Sequence, residues 1–256
     1  MIGGLSSFVA ARRASLVIAV LSLAVGAGPT LAADSHPDFS GVWTWHRVPG
    51  GPRFARPWPK DPPFTEIAKQ KIAAYHKLID PTGETPGGYC VGTGMPGDML
   101  GSGGYPMEVI QRPEQITIIY EAWTEIRRIY IDAKPVADKD LIPTRNGYSV
   151  GHWEGDTLVV ETKSLEEQVD QAAAHSEQAR VEERYSFTKD KDGKKLLTAT
   201  LTMTDPVFYT APVTVTKTWE PTDERMLNYD CTEPDWEDHL DQLRQKAEAK
   251  GDGKKE

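Results

Sequence analysis

"NGYSVGHWEGDTLVVET", residues 146–162, is the stretch that most clearly indicates the fold. Two runs with regular alternation, "YSVGHW" and "TLVVET", flank the turn Glu154-Gly155-Asp156. Glycine readily adopts a positive φ and aspartate tolerates the bend, so the stretch predicts a β-hairpin. We therefore interpret Glu154 and Asp156 as turn residues and His152 as an exposed or rim residue.

Strand-like alternation recurs through most of the chain. In "QITIIYEAW" (115–123), Ile116, Ile118 and Tyr120 form one alternating face. Several joins are too short for a parallel crossover, which indicates antiparallel pairing. Further candidate strands are "VWTWH" (42–46), "EIRRIYID" (125–132), "RVEERYSFT" (180–188), "KLLTATLTMT" (195–204), "VTVTKTWE" (213–220) and "RMLNYDC" (225–231). About nine or ten strands in sequential hairpins predict a mainly β, antiparallel barrel, because closure removes exposed strand edges.

Residues 49–106 interrupt this pattern and predict a lid. They hold 10 of the 19 prolines and 11 of the 22 glycines, which disfavour strands. Helical spacing of apolar residues predicts one helix over 65–79, with Asp61 as a cap-like residue. Residues 164–181 are rich in helix formers and predict a helix taken alone. Because they lie between two hairpins, an extended loop over one barrel end stays open as the alternative.

The N-terminus has the pattern of a cleaved export signal over residues 1–32. Arg12 and Arg13 precede a short apolar core, and Thr30-Leu31-Ala32 supplies small residues before a cleavage point. The apolar run is short for a membrane span, so we expect no stable span after cleavage; an uncleaved anchor is the alternative. Cleavage takes the chain from 256 to 224 residues and its formal charge from −9 to −11.

These features predict a periplasmic or secreted protein. The acidic balance argues against nucleic acid, whose phosphates attract clustered lysine and arginine. Residues 33–234 are the predicted barrel domain, and residues 235–256 a charged C-terminal helix with a disordered tail. Cys90 and Cys231 form an even pair in an exported chain and predict a disulfide; two free thiols are the alternative. The oligomeric state and the export route stay open.

Several motifs resemble those of a large group of exported bacterial proteins to which no settled activity is attached. They are "DFSGVW" (38–43), "CVGTGMP" (90–96), "YPMEVIQ" (105–111), "YEAWTEIRRIYID" (120–132), "GYSVGHWEGDTLVVET" (147–162), "HSEQARVEER" (175–184) and "YDC" (229–231). The resemblance covers most of the chain after the leader. Two positions depart from it: Tyr148 and His152 stand where that group carries histidine and arginine. The early Gly-x-Trp is also similar to lipocalin-type barrels, which implies a cavity for a small ligand.

The polar residues suggest cofactor-independent acid–base chemistry, such as elimination, isomerisation or hydrolysis. The candidate catalytic residues are His175, Glu177, Arg128, Tyr105 and Glu108. His175 would act as the base, and Arg128 would stabilise a developing negative charge. In a helix His175 and Glu177 would diverge, whereas an extended loop would let both face one cavity mouth.

A structural ion pair is the alternative for Arg128, with Glu183 as partner on a facing strand. Methionines and glycines of the lid would give an adaptable apolar cover. The candidate ligand-binding residues are Tyr130, Tyr148, Met95, Met99, Glu183 and Arg184. The six histidines are scattered without a metal-binding pattern, so we predict neither a metal nor another cofactor.

Three functions remain open at this point. The first is handling of a small, partly apolar substrate in a barrel cavity by acid–base chemistry. The second is a non-catalytic periplasmic carrier for such a ligand. The third is an envelope scaffold or partner-binding protein using the acidic C-terminal helix. A filled barrel interior would count against the two ligand functions and favour the third, whereas converging polar groups in a cavity would favour catalysis.

Overall fold

Nine short strands form the body of the protein. A computed structural model describes residues 36–47, 57–101 and 104–231. The strands close into a barrel in chain order, which confirms the predicted mainly β barrel. They are β1 (Gly41–Trp45), β2 (Met107–Gln111), β3 (Gln115–Tyr120), β4 (Glu125–Ile131), β5 (Tyr148–Glu154), β6 (Thr157–Lys163), β7 (Arg180–Lys189), β8 (Lys195–Thr204) and β9 (Val213–Pro221). The helices are α1 (Glu66–Ile79) and α2 (Gly97–Gly101), and 3-10 turns lie at Asp80–Thr82, Pro86–Tyr89, Ala122–Thr124 and Asp138–Asp140.

One strand pair departs from the predicted antiparallel pattern. β4 and β5 pair in parallel, whereas the other neighbours are antiparallel. Each antiparallel contact reverses the strand direction, so a closed ring must contain an even number of them. A nine-stranded barrel therefore requires a parallel pair. Residues 132–147, here called the crossover segment, supply the long connection that a parallel pair needs.

The inward faces of the strands form a dense apolar core. Phe39 and Phe187 pack edge to face at 4.9 Å between ring centroids, near one end of the barrel. At the other end α2 covers the core, with Met99 and Leu100 buried. The Lys217 ammonium group donates to the Leu100 carbonyl at 3.2 Å, which ties α2 to β9. The lid thus covers this end of the barrel with α2, and it contains two helices, one more than predicted.

Helix α1 begins one residue later than predicted and has a different cap. The Thr65 hydroxyl accepts a hydrogen bond from the Ala68 amide, as an N-cap does, so Thr65 replaces Asp61 in that role. Ala68 is the buried residue of the helix. Pro81 follows the last turn and helps to end it.

Residues 164–181 are a loop up to the start of β7, which resolves the alternatives for this segment. A reciprocal pair of backbone hydrogen bonds joins Gln168 and His175 at 2.9 and 2.8 Å, in an isolated β-bridge. Leu165 and the alanines 173, 174 and 179 are all buried. Burial of these side chains against the barrel outweighs the helix propensity of their neighbours.

The predicted strand 225–231 is absent, and its residues form a segment without regular secondary structure. Cys231 forms the predicted disulfide with Cys90, with 5.6 Å between the Cα atoms. The Leu227 amide donates to the Glu121 carboxylate at 2.7 Å, and Tyr229 packs on Tyr105 and Trp123. These side-chain and covalent contacts take the place of a strand ladder. The predicted signal over 1–32, the C-terminal helix and tail, and parts of the lid (48–56 and 102–103) lie outside the described residues.

Candidate functional site

A buried ion pair lies inside the barrel between β4 and β7. Arg127 donates to both oxygens of Glu183, with 2.9 Å from Nη1 to Oε1. Its remaining donors reach Ser149 at 3.2 Å and Thr162 at 2.8 Å, and the Tyr185 hydroxyl donates to Glu183 at 2.8 Å. Both charged side chains are 1 % exposed or less. The pair therefore has the close geometry and added hydrogen bonds that a buried ion pair requires.

Arg127, Tyr185 and Tyr120 each keep one protonation state near neutral pH. Burial lowers the pKa of Arg127, but Glu183 together with Tyr185 and Tyr120 more than offsets this, so the net pKa is raised. Burial, reinforced by Glu183, raises the pKa of Tyr185 well above its usual value. Burial likewise raises the pKa of Tyr120. The arginine stays charged and both tyrosines stay neutral, so none of the three suits proton transfer.

The prediction that Arg128 faces the interior was wrong by one residue. Arg127 occupies the inner face with Ile129, whereas Arg128 and Ile126 are exposed. The strand carries apolar residues on both faces, and its two arginines are adjacent, so alternation alone could not choose between them. The expected partner Glu183 does pair with an arginine of this strand.

His175 and Glu177 are not brought together. His175 is fully buried, and its Nδ1 lies 2.9 Å from the Ala173 carbonyl. A carbonyl oxygen only accepts, so Nδ1 carries the proton and Nε2 has a free lone pair. Burial lowers the pKa of His175. Glu177 is exposed, while Ser176 between them donates from its amide and hydroxyl to Asp205.

The other predicted catalytic residues also lie apart from His175. Tyr105 is 43 % exposed and packs against Tyr229. Glu108 lies on the outward face of β2, because Met107 and Val109 on either side of it are buried. Within the described ranges no hydrogen bond or ion pair joins any two of the five candidate catalytic residues. The five residues are therefore not joined into one contact network in the described structure.

The lid contributes a buried carboxyl group that the sequence did not indicate. Asp98 is 1 % exposed, and neither of its carboxyl oxygens has a hydrogen-bond partner among the described residues. Burial, with the nearby Glu125, raises the pKa of Asp98 to about 8. Met95 and Met99 lie beside it in the core and are also buried. Asp98 is therefore protonated at neutral pH and sits in a packed environment.

The barrel interior is filled. The void lined by core side chains including Ile118, Ile129 and Leu197 measures about 10 Å³. A single water molecule needs roughly that volume. Among the predicted ligand-binding residues, Met95, Met99 and Glu183 belong to this filled interior and line no open space there. The sequence predicted a ligand cavity inside the barrel, and this void is too small to be one.

An open groove of about 450 Å³ lies on the outside of the barrel. One wall is the crossover segment, and the floor is the outward face of β5 to β8. We call it the outer groove. Its lining residues are Ala133, Pro135, Val136, Tyr148, Val150, Glu161, Thr162, Lys163, Arg180, Val181, Glu182, Thr202 and Thr204. Small-molecule sites typically occupy 300–1,000 Å³, so the outer groove has the size of a ligand site.

Asp138 attaches the crossover segment to the floor of the outer groove. Its carboxylate accepts from Lys163 at 2.6 Å and from Arg180, and the Lys163 ammonium also donates to the Val136 carbonyl at 2.6 Å. The two hydrogen bonds lower the pKa of Asp138. Lys163 on β6 and Arg180 on β7 thus hold the crossover segment in place, and this segment forms one wall of the outer groove.

Of the predicted ligand-binding residues, Tyr148 lines the outer groove. Tyr130 stacks on it from the neighbouring strand, with ring centroids 5.5 Å apart and an interplanar angle of 29°. Arg184 lies outside the lining and pairs with the Glu154 carboxylate. Sequence reasoning missed Glu161, Lys163, Arg180, Glu182 and Asp138. The long, proline-containing connection after β4 was the feature of the sequence that could have indicated the groove, because such connections pack over neighbouring strands.

Comparison with known proteins adds no family to this picture. No protein-family model and no curated protein matches the sequence. Among the described residues, no helix has the length and apolar character needed to cross a bilayer. The same residues contain no group of three or more histidine, cysteine or acidic side chains placed to hold a metal ion. The outer groove is therefore judged on its own geometry.

Proposed function

We propose that this protein binds a small, partly apolar molecule in the outer groove and acts as a non-catalytic carrier in an exported compartment. The contrast between the two spaces supports this proposal most directly. The interior void is about 10 Å³, whereas the outer groove is about 450 Å³ and is lined by aliphatic and aromatic surface. Of these two spaces, only the outer groove would hold a ligand of ordinary size.

Carriage fits the groove better than catalysis. The interior groups suited to acid–base chemistry, Asp98 and His175, are buried and line neither the outer groove nor the interior void. In the groove, the two cations are engaged by Asp138. The lining of the outer groove contains no histidine or cysteine. Such a lining can bind and orient a ligand but lacks a base poised near neutral pH.

The exported location rests on two features. The pattern of residues 1–32 is that of a cleaved signal, and the Cys90–Cys231 disulfide is stable in oxidising compartments. The resemblance to exported bacterial proteins points the same way. Free-thiol labelling of protein recovered from intact cells, with and without reductant, tests this part of the proposal.

A neutral fluorescent probe tests the groove itself. We expect 2-(1-naphthyl)ethanol to bind wild-type protein and to show increased fluorescence anisotropy. Val150→Trp places a large ring in the groove and should abolish this binding. Thr216→Trp adds the same ring to an exposed position of β9 outside the groove lining, so it is the matched control. Unchanged binding by Val150→Trp, or no binding up to about 1 mM, would contradict the proposal.

A partner-binding or scaffold protein is the second candidate, and the filled interior favours it. In that case the barrel would serve as a rigid support, with its outer surface contacting another macromolecule. The probe experiment separates the two candidates, because a scaffold needs no affinity for small apolar molecules. No probe binding by the wild-type protein, together with capture of a partner from an envelope extract, would favour the scaffold.

A further inference from the structure

Two glutamates face each other across the floor of the outer groove. Glu161 on β6 and Glu182 on β7 are directly opposed in the antiparallel register. Both are exposed and point outward, because their neighbours Val160, Thr162, Val181 and Glu183 are buried. Opposed residues in such a pair have Cβ atoms about 4.5–5.5 Å apart, and two like charges there destabilise the sheet.

The cationic side chains that lie closest to the two glutamates along these strands form ion pairs with other carboxylates. Arg180 and Lys163 pair with Asp138, at the level of the crossover segment. Arg184 pairs with Glu154 at the hairpin turn. Within the described ranges, no lysine, arginine or histidine lies within ion-pair distance of Glu161 or Glu182. The two carboxylates therefore have no ion-pair partner among the described residues, although Arg184 lies near enough to Glu182 for that carboxylate to help raise the pKa of the arginine.

The surface around the two carboxylates is mixed: Thr202 is paired with Glu182 on the β8 side, and apolar and aromatic side chains lie on the β5 side. Val150 is paired with Glu161 in the β5–β6 ladder and shares its outward face. Tyr148 lies two residues away, with its ring supported by Tyr130. An aromatic ring attracts a cation at its face and also packs against aliphatic groups. The crossover segment adds aliphatic surface from the opposite wall.

We infer that the outer groove selects an organic cation: a small molecule with an aromatic or aliphatic body and a protonated amine. The ammonium group would lie between Glu161 and Glu182, and the apolar body would pack on Val150 and Tyr148. This assignment rests on the proposed carrier function and adds the chemical class of its ligand. Charge complementarity supports the choice of a cation, because an anion in this position would be repelled by two carboxylates that have no ion-pair partner in the described ranges.

Three probes with one apolar body test the charge preference. They are a naphthylethyl group carrying an ammonium, the same group carrying a hydroxyl, and naphthylacetate, which carries a carboxylate. By fluorescence titration at low salt, we expect the ammonium probe to bind about fivefold or more tighter than the alcohol, a modest ratio because exposed ion pairs are weak. The carboxylate probe should bind more weakly than the alcohol. Added salt should reduce these differences, because it screens exposed charges.

The variant Glu161→Gln/Glu182→Gln isolates the two carboxylates. It should reduce the affinity for the ammonium probe to that for the alcohol, while the alcohol binds as before. Glu114→Gln/Glu224→Gln removes the same charge from exposed sites outside the groove lining and should leave all three affinities unchanged.

The outcomes separate this inference from the function on which it rests. Equal binding of all three probes, abolished by Val150→Trp, would keep the carrier function and overturn the cation preference. No probe binding at all would overturn both. A dimer of the wild-type chain that dissociates in the Glu161→Gln/Glu182→Gln variant, without probe binding, would assign the groove to a second copy and overturn the inference.

Discussion

Glu182 and Glu183 are adjacent in sequence and lie in opposite environments. Glu183 is fully buried and accepts hydrogen bonds from Arg127 and Tyr185. Glu182 is exposed in the outer groove, opposite another glutamate. In the interior, the Glu183 carboxylate completes a closed network of hydrogen bonds. In the groove, the Glu182 carboxylate has no ion-pair partner among the residues that the structure describes and can contact a ligand. Because strand side chains alternate between faces, one residue of register separates a structural role from a binding role.

The largest expected difference between the two regions concerns the adjacent arginines of β4. Arg127→Met should destabilise the fold by about 3–5 kcal/mol, because it leaves the buried Glu183 without a partner. Arg128→Met, on the exposed face, should change stability by less than about 0.5 kcal/mol. Urea unfolding with the disulfide intact measures both.

Equal costs for the two arginine variants would show that the assigned faces are wrong. If Arg127→Met does not fold, Arg127→Met/Glu183→Leu removes both charges and should recover a folded barrel. Failure of this double variant to fold better than the single variant would count against the ion-pair interpretation.

Truncation of apolar side chains compares the packed interior with the groove. Leu201→Ala, in the core of β8, should cost about 2–5 kcal/mol because it opens a cavity among buried neighbours. Val150→Ala, in the partly open groove, should cost less than about 1.5 kcal/mol. Thermal unfolding followed by circular dichroism ranks the two. A Leu201→Ala variant as stable as wild type would indicate that the interior is not filled.

The buried carboxyl of Asp98 should make the stability of the lid end dependent on pH. Its pKa is raised from 3.8 to about 8, so the folded protein retains a proton that the unfolded chain releases between these values. The stability contributed by this group therefore falls as the pH rises from about 4 to about 8, by at most about 1.4 kcal/mol per pH unit. Asp98→Asn does not titrate and should lose this dependence.

Urea unfolding of wild type and Asp98→Asn at pH 4, 6 and 8 checks the sign of that effect. The variant should gain stability relative to wild type as the pH rises. His175, whose pKa is lowered, destabilises the fold toward acidic pH in both proteins, so it cancels in the difference. A constant difference across the three pH values would mean that Asp98 is not a neutral buried acid.

The smallest expected effect on stability is at Asp138, where the crossover segment meets the floor of the groove. Asp138→Asn weakens two exposed ion pairs and should cost less than about 1 kcal/mol. It should nevertheless reduce binding of the neutral naphthyl probe, because the wall of the groove is no longer held in place. Asp192→Asn weakens an exposed ion pair in the β7–β8 turn and is the matched control. Equal probe affinity in both variants would exclude this role for Asp138.

The alternation of single strands was sufficient to predict the barrel, but not its long-range contacts. Where one face is apolar and the other polar, as in residues 195–204, the inner face follows directly from the sequence. Residues 125–131 carry isoleucines on both faces, so the sequence alone does not show which face points inward once the strand pairs with β3 and β5. The groove depends on the crossover segment packing over strands distant in sequence, which no local pattern records. The loop at 164–181 was ambiguous because its helix propensity competes with burial of its alanines.

Mapping of the bound probe by backbone amide NMR tests the central claim that ligand binds on the outside of a filled barrel. The naphthylethylammonium probe should shift the amide resonances of Tyr148, Val150 and Thr202, which border the outer groove. The resonances of Ile118 and Ile129, which face the interior, should stay in place. Shifts confined to the interior residues, with the groove unaffected, would contradict the account.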